Sequence, residues 1–240
     1  MTFGMKGSDH HAPVITVGRP SEGILLAGLL SVAALLAVLH EVSVRSGLEV
    51  LESYFDLALE PTVPTWWSSF LLLFLGILLA LLAHGQSDRD HRSARALYIG
   101  SAIALYFSLD EVATLHESVT GVFVRFEGIP RFPGDHGVWI FAYGILGLAI
   151  LAYIVPGLIS FAREERAASV KFLVGAGLFM LGGVGVEIVG YFQGKPVLLA
   201  ETLEMVGTAV MVWATYGALQ GRTIEFPSRS SSTTEPQSLR

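Results

Sequence analysis

The stretch Leu109-Asp110-Glu111-Val112-Ala113-Thr114-Leu115-His116-Glu117 decides how the third apolar segment of this chain is built. The apolar run before it, residues 96–109, would form a helix roughly 21 Å long, whereas a bilayer core is about 30 Å thick. We therefore expect the helix to continue to His116, which places Asp110 and Glu111 inside the membrane boundary. Ionisable groups at that depth are costly and are functional candidates by default. The alternative is that they lie among the lipid headgroups.

The composition indicates a polytopic helical membrane protein. Of the 240 residues, 52% are hydrophobic and 15% are charged, and the mean hydropathy is positive. A net charge of −6 without a basic run argues against nucleic-acid binding, and the absence of Cys removes disulfides, thiolate metal sites and cysteine nucleophiles. The lipid bilayer is the partner that this composition predicts, and we expect a multi-pass protein of the cell (inner) membrane.

Six apolar segments predict an all-α bundle of six spans within a single domain, residues 23–220. Spans 1 to 6 are predicted at residues 23–39, 68–83, 96–116, 138–161, 170–192 and 197–219. Residues 1–22 and 221–240 are too polar to span, and we expect a flexible cytoplasmic tail and a disordered cytoplasmic tail, respectively.

The loop between spans 1 and 2 has a helical pattern of its own. Acids at Glu49, Glu52, Asp56 and Glu60 alternate with apolar Leu48, Leu51, Phe55 and Leu59. This spacing predicts a short amphipathic helix on the membrane surface, closed by Pro61 and Pro64.

The orientation follows from the positive charges. Eleven of the 15 Lys and Arg residues fall in the two tails, the 2–3 turn and the 4–5 turn, which lie on one side of a six-span bundle. Because the side richer in Lys and Arg faces the cytoplasm, both termini are predicted to be cytoplasmic.

With this topology, the acids of spans 3, 5 and 6 all fall in the outer half of the bundle, where those spans carry no basic residue. Their partners would then be shared protons, histidines or a bound cation. The candidate metal ligands are Asp110, His116, Glu117, Glu201 and Glu204; the candidate catalytic residues are Glu117 and Glu187; the candidate binding residues are His40, Glu41, Glu111 and Thr114. On a continuous helix, Asp110 and Glu117 would face the same way. Alternatively, Glu201 and Glu204 are stabilised by the N-terminal dipole of span 6.

Three functions fit this pattern. The first is a metal-dependent membrane enzyme, an oxidoreductase or hydrolase using iron, manganese or zinc on a lipid-like or small apolar substrate. The second is a proton- or cation-coupled transporter, and the third is a non-catalytic membrane subunit.

Glycines dominate span 5. We expect Gly182, Gly183 and Gly185 to face neighbouring helices, and the same segment could join copies of the chain into a homo-oligomer. A short repeat, Leu39-His40-Glu41 and Leu115-His116-Glu117, is too brief to establish internal duplication.

Overall fold

The computed structural model describes residues 14–16, 22–59, 62–126, 128–130, 132, 137–193 and 196–225. The elements in chain order are β1 (Val14–Thr16), α1 (Glu22–Ser46), α2 (Glu49–Phe55), α3 (Val63–Gln86), α4 (His91–Ala113), α5 (Leu115–Phe123), α6 (Val138–Glu164), α7 (Arg166–Met180), a π-helical turn (Leu181–Val186), α8 (Glu187–Gln193), α9 (Val197–Leu219) and β2 (Thr223–Glu225). The predicted all-α bundle is confirmed.

Six helical segments are long and apolar enough to cross a bilayer, and the chain is a multi-pass integral membrane protein. Spans 1 to 4 are α1, α3, α4 and α6, span 5 runs through α7, the π-helical turn and α8, and span 6 is α9. Because the helices alternate in direction, the C-termini of α1, α4 and α8 meet the N-termini of α3, α6 and α9. We call this end of the bundle the His116 end, and the opposite end the Arg222 end.

The core lies around α3 and α9. Leu71 and Leu82 of α3 and Val212 of α9 are almost completely buried and belong to one hydrophobic cluster. Helix α9 packs against α1, α3 and α7, while α6 lies at the periphery against α4 and α7. Buried alkyl side chains make up most of this core, which also contains the buried Thr208 and Thr215 of α9.

The short surface helix is confirmed as α2, but its predicted end was wrong. It ends at Phe55, with Asp56 as its C-cap, before Pro61 is reached. Pro64 lies in the first turn of α3, where a backbone N–H would have no acceptor within the helix, so proline is tolerated there. Thr62 is the N-cap of α3. Glu60 and Pro61 lie outside the described residues.

The predicted start of span 3, at residue 96, was wrong, because the helix begins five residues earlier. Helix α4 begins at His91 because the Asp90 side chain accepts the Arg92 N–H at 2.9 Å as an N-cap. Residues 91–109 extend about 28 Å, so the helix before the acids is longer than predicted, and its first turns carry His91, Arg92 and Arg95. Asp110 and Glu111 are nevertheless helical, and α4 ends at Ala113 rather than at His116.

The glycines of span 5 pack against α9, and two of three predictions are confirmed. A Cβ on Gly182 would lie 2.5 Å from the Ala200 carbonyl oxygen, and one on Gly183 would lie 3.3 Å from the Glu204 carboxylate. Gly185 meets only Leu181 and Met180 of its own segment, so its prediction was wrong. Span 5 therefore packs closely against α9 of the same chain. A homo-oligomer formed through span 5 stays a prediction.

The two ends of the described chain meet. Val14–Thr16 pairs antiparallel with Thr223–Glu225, and Ile224 is buried near Gly85 at the Arg222 end. Six spans and this pairing place both ends on the same side, in agreement with the predicted topology. The side that they face stays a prediction, and the remaining tail residues lie outside the described part.

Candidate functional site

The site begins at a break in the helix. Thr114, between α4 and α5, has φ 49° and ψ 40°, the left-handed region that a β-branched residue rarely adopts. Its N–H donates to the Asp110 carbonyl at 2.8 Å, and the N–H groups of Glu117 and Ser118 donate to its own carbonyl. Strain of this kind persists only where the surroundings enforce it. The turn brings the first residues of α5 back towards the end of α4.

Asp110 is the residue that fixes this turn. Its Oδ1 accepts the His116 backbone N–H at 2.8 Å, and its Oδ2 lies 3.3 Å from His116 Nδ1. The Asp110 side chain is 12% exposed and the His116 side chain 27%. A buried carboxylate therefore lies behind a more accessible imidazole, and in the neutral ring it favours the tautomer with its proton on Nδ1.

Aromatic rings surround the imidazole. The His116 ring meets the Trp139 ring edge to face at 5.3 Å, and Trp139 meets Tyr143 in the same manner at 5.7 Å. The Tyr143 hydroxyl hydrogen-bonds to the Tyr106 hydroxyl of α4. These contacts join α4, α5 and α6 around the Asp110–His116 pair.

Glu187 reaches the same region through two aromatic residues. Its Oε1 accepts the Tyr191 hydroxyl at 2.9 Å, and the Trp139 side chain also hydrogen-bonds to Tyr191. The Tyr191 ring stacks on Phe132 at 5.1 Å. The structure thus connects three predicted site residues, Asp110, His116 and Glu187, through Trp139 and Tyr191.

Both acids of α9, Glu201 and Glu204, are half-buried, and Glu204 lies against span 5. The Glu204 carboxylate contacts the backbone at Gly183, in space that a side chain would fill. Thr208, which the sequence places on the same stripe, donates its hydroxyl to the Glu204 carbonyl of its own helix at 2.9 Å. Within the described ranges, no group of three or more His, Asp and Glu side chains is arranged to hold a metal ion.

The other predicted residues take different places. Glu117 is exposed on α5, and the break at Thr114 means that it does not share a helix face with Asp110, contrary to the prediction. Thr114 forms the turn itself, Glu111 is half-buried on α4, and Glu41 pairs with Arg45 at 2.7 Å.

His40 belongs to a second histidine–aspartate pair at the same end of the bundle. Its Nδ1 lies 3.4 Å from Asp56 Oδ1 and accepts the Leu57 backbone N–H at 3.1 Å. These contacts are made with the turn after α2, whereas those of His116 are made with α4 and α6.

Sequence reasoning missed Trp139, Tyr143 and Tyr191. The available signal was their spacing, since Tyr143 follows Trp139 and Tyr191 follows Glu187 by four residues, which places each pair on one helix face. Polar aromatic residues near a membrane boundary are usually attributed to interfacial anchoring, and this obscured their role in the site.

The comparisons with known proteins identify the family but no activity. No curated protein and no solved structure is significantly similar to this chain. The family model of a domain of unknown function, DUF8692, matches residues 23–219, which are the six spans and their connections. The chain belongs to the DUF8692 family.

Proposed function

We propose that this protein is a membrane enzyme in which Asp110 and His116 act as an acid–base pair on a lipid-like substrate. The observation that carries the proposal is the double contact of Asp110, which accepts the His116 N–H at 2.8 Å and lies 3.3 Å from Nδ1. A mainly structural carboxylate would need only the first contact. The contact with Nδ1 orients the His116 ring, in addition to the backbone that the first contact holds.

The chemistry follows from the tautomer. With its proton on Nδ1, directed at Asp110, the neutral imidazole presents Nε2 as the proton acceptor. His116 would take a proton from a water molecule as its oxygen attacks a substrate carbonyl, and Asp110 would stabilise the resulting imidazolium. The imidazolium would then return the proton to the leaving group, so that hydrolysis consumes one water and regenerates the base.

The one-sided distribution of acids favours an enzyme over a transporter. Asp110, Glu187 and Glu204 lie towards the His116 end of their spans. Near the opposite end, Arg95 lies over the Tyr153 ring and Lys171 over the Trp213 ring. A coupled transporter needs ionisable groups along a path from side to side, whereas a hydrolase needs them at one level.

A lipid-like substrate is supported by the surroundings of the pair. His116 lies against Trp139 of α6, a helix most of whose apolar residues are not buried by the rest of the chain, and we expect this region to border the bilayer. A metal site is not part of this proposal, because open catalytic sites use three protein ligands and the described residues offer no such group.

The test is product release from lipid vesicles. Purified untagged protein is incubated with vesicles of phospholipids, glycerides and acyl-ester probes, with and without a chelator, and released acids are measured by mass spectrometry. We expect His116→Gln to lower the rate by about 100-fold, the lower end of general acid–base contributions. His40→Gln is the matched control and should keep the rate within about twofold. Equal losses in both variants, or no product from any substrate, would contradict the proposal.

A further inference from the structure

A second site lies at the His116 end, in a groove between α1 and the start of α9. The groove has a volume of about 800 Å³, within the range of about 300–1,000 Å³ typical of ligand pockets. Its walls are mostly alkyl, and the lining includes Ala37, His40, Val44, Asp56, Leu198 and Thr202. Along α1 it extends from Ala37 to Val44, about 10 Å.

The His40 imidazole supplies one polar group to this groove. The side chain is buried, at 10% exposure, and Nδ1 accepts the Leu57 N–H at 3.1 Å. A ring nitrogen that accepts a hydrogen bond carries no proton, so the neutral ring holds its proton on Nε2. Within the described part of the chain, the His40 ring makes polar contacts with Leu57 and Asp56, and Nδ1 makes both of them. Nε2–H is therefore a donor for a ligand.

Thr202 supplies the second polar group. Its hydroxyl oxygen is fully buried and has no hydrogen-bond partner among the described residues, although it lines the groove. Buried hydroxyls in proteins are nearly always hydrogen-bonded, and an unpaired one needs an explanation. A ligand oxygen in the groove would satisfy Thr202 and His40 together.

We propose that this groove binds one glycerolipid of the bilayer, with an acyl chain along the alkyl walls and an ester carbonyl accepting from His40 Nε2–H and Thr202. The groove is formed between two membrane spans, so bilayer lipid reaches it directly. A smaller groove of about 430 Å³ shares Ala37 and Leu198 with it and is also lined by the ion pair of Glu41 and Arg45. That pair has no net charge, which suits a neutral or zwitterionic headgroup. The site is separate from the proposed acid–base pair and does not depend on it.

The experiment uses the full chain in nanodiscs that contain phosphatidylcholine with a diazirine at the end of one acyl chain. After irradiation, adducts are mapped by mass spectrometry. We expect adducts on groove residues in excess of those on Leu148 of α6, a lipid-facing reference that is 69% exposed. Adducts of equal yield at both places would overturn the proposal.

Two substitutions and their controls test the groove directly. Ala37→Phe fills the groove and should abolish the groove adducts, whereas Ala149→Phe on the exposed face of α6 should not. Thr202→Val removes one hydrogen bond at constant shape and should weaken lipid retention about fivefold. Thr215→Val is its control, because the Thr215 hydroxyl donates to its own helix at Met211. If Ala37→Phe fails to fold, Thr202→Val alone decides, and unchanged retention in that variant contradicts the proposal.

Competition identifies the recognised group. Unlabelled diacylglycerol should displace the probe as well as phosphatidylcholine does, because both present the ester carbonyl, whereas hexadecane should displace it poorly. Equal competition by hexadecane would mean an apolar crevice without polar recognition and would overturn the assignment to His40 and Thr202.

Discussion

The two histidine–aspartate pairs of this protein have almost the same separation and opposite hydrogen bonding. His40 Nδ1 lies 3.4 Å from Asp56, and His116 Nδ1 lies 3.3 Å from Asp110. At His40 a backbone N–H also donates to Nδ1, which assigns the proton to Nε2. At His116 no backbone N–H donates to the ring among the contacts described; the His116 N–H donates to the Asp110 carboxylate, and Nδ1 can carry the proton. The backbone hydrogen bond to Nδ1 thus distinguishes the two rings: His40 can donate to a ligand through Nε2–H, whereas Nε2 of His116 can act as a base.

The largest expected effect concerns the two carboxylates. Asp110→Asn keeps an oxygen for the His116 N–H but removes the charge that stabilises the imidazolium, so hydrolytic activity should fall by about 100-fold. Asp56→Asn, the matched change at the other pair, should leave it within about twofold. Rates from the vesicle assay measure both variants, and an equal fall in both would remove the distinction between the pairs.

The next effect concerns the packing of α9, which contacts α1 beside the His40 pair and span 5 beside Glu204. Gly182→Ala places a Cβ 2.5 Å from the Ala200 carbonyl oxygen, and overpacking of this kind costs about 1–3 kcal/mol. Gly177→Ala is the control, since no atom lies within 4 Å of its Cβ position. Thermal unfolding in detergent compares the variants, and equal midpoints would show that the close approach of span 5 to α9 is not required.

A smaller effect concerns the left-handed residues that follow α1 and α4. Gly47 follows α1 with φ 63°, whereas Thr114 follows α4 with φ 49°. Thr114→Gly should stabilise the protein by about 1 kcal/mol and Gly47→Ala should destabilise it by a similar amount, because left-handed backbone costs an L side chain about 1–2 kcal/mol. Unfolding midpoints test this, and a loss of stability in Thr114→Gly would show that the turn is not strained.

The smallest effect is expected at the Arg222 end, where Asp90 lies at the start of α4. Hydrogen bonds from Ser160 and Ser93 hold the pKa of Asp90 below its usual range. A depressed folded-state pKa stabilises the protein above the unfolded pKa of about 3.9, and this contribution is lost as the pH falls through the folded value. Asp90→Asn should therefore lower the unfolding midpoint at pH 7, and the difference should shrink below about pH 4. A difference that grows at low pH would have the wrong sign.

The sequence predicts the bundle well because apolar length and period are local properties. The six spans, the surface helix α2 and the packing of Gly182 and Gly183 all follow from composition and spacing. The break at Thr114 does not, since threonine disfavours the left-handed region and the turn is stabilised by contacts that spacing does not reveal, such as that between Asp110 and the His116 N–H. The parts of the site that depend on that turn could not be derived from helical spacing.

The aromatic part of the site shows the same limit. Asp110, His116 and Glu187 were predicted to converge from charge cost and depth, but Trp139 and Tyr191, which connect them, carry no charge. Their role depends on how α6 and α8 rotate about their axes, and periodicity does not determine rotation in a helix that is apolar on every side.

The two ring tautomers provide the most direct test. Nitrogen-15 NMR of histidine-labelled protein in nanodiscs at about pH 8, where neutral rings predominate, distinguishes protonated from unprotonated ring nitrogens. His40→Gln and His116→Gln assign the two signals. The account predicts a proton on Nδ1 of His116, sensitive to Asp110→Asn, and a proton on Nε2 of His40. The same tautomer in both rings, or a His116 signal that Asp110→Asn does not change, would contradict it.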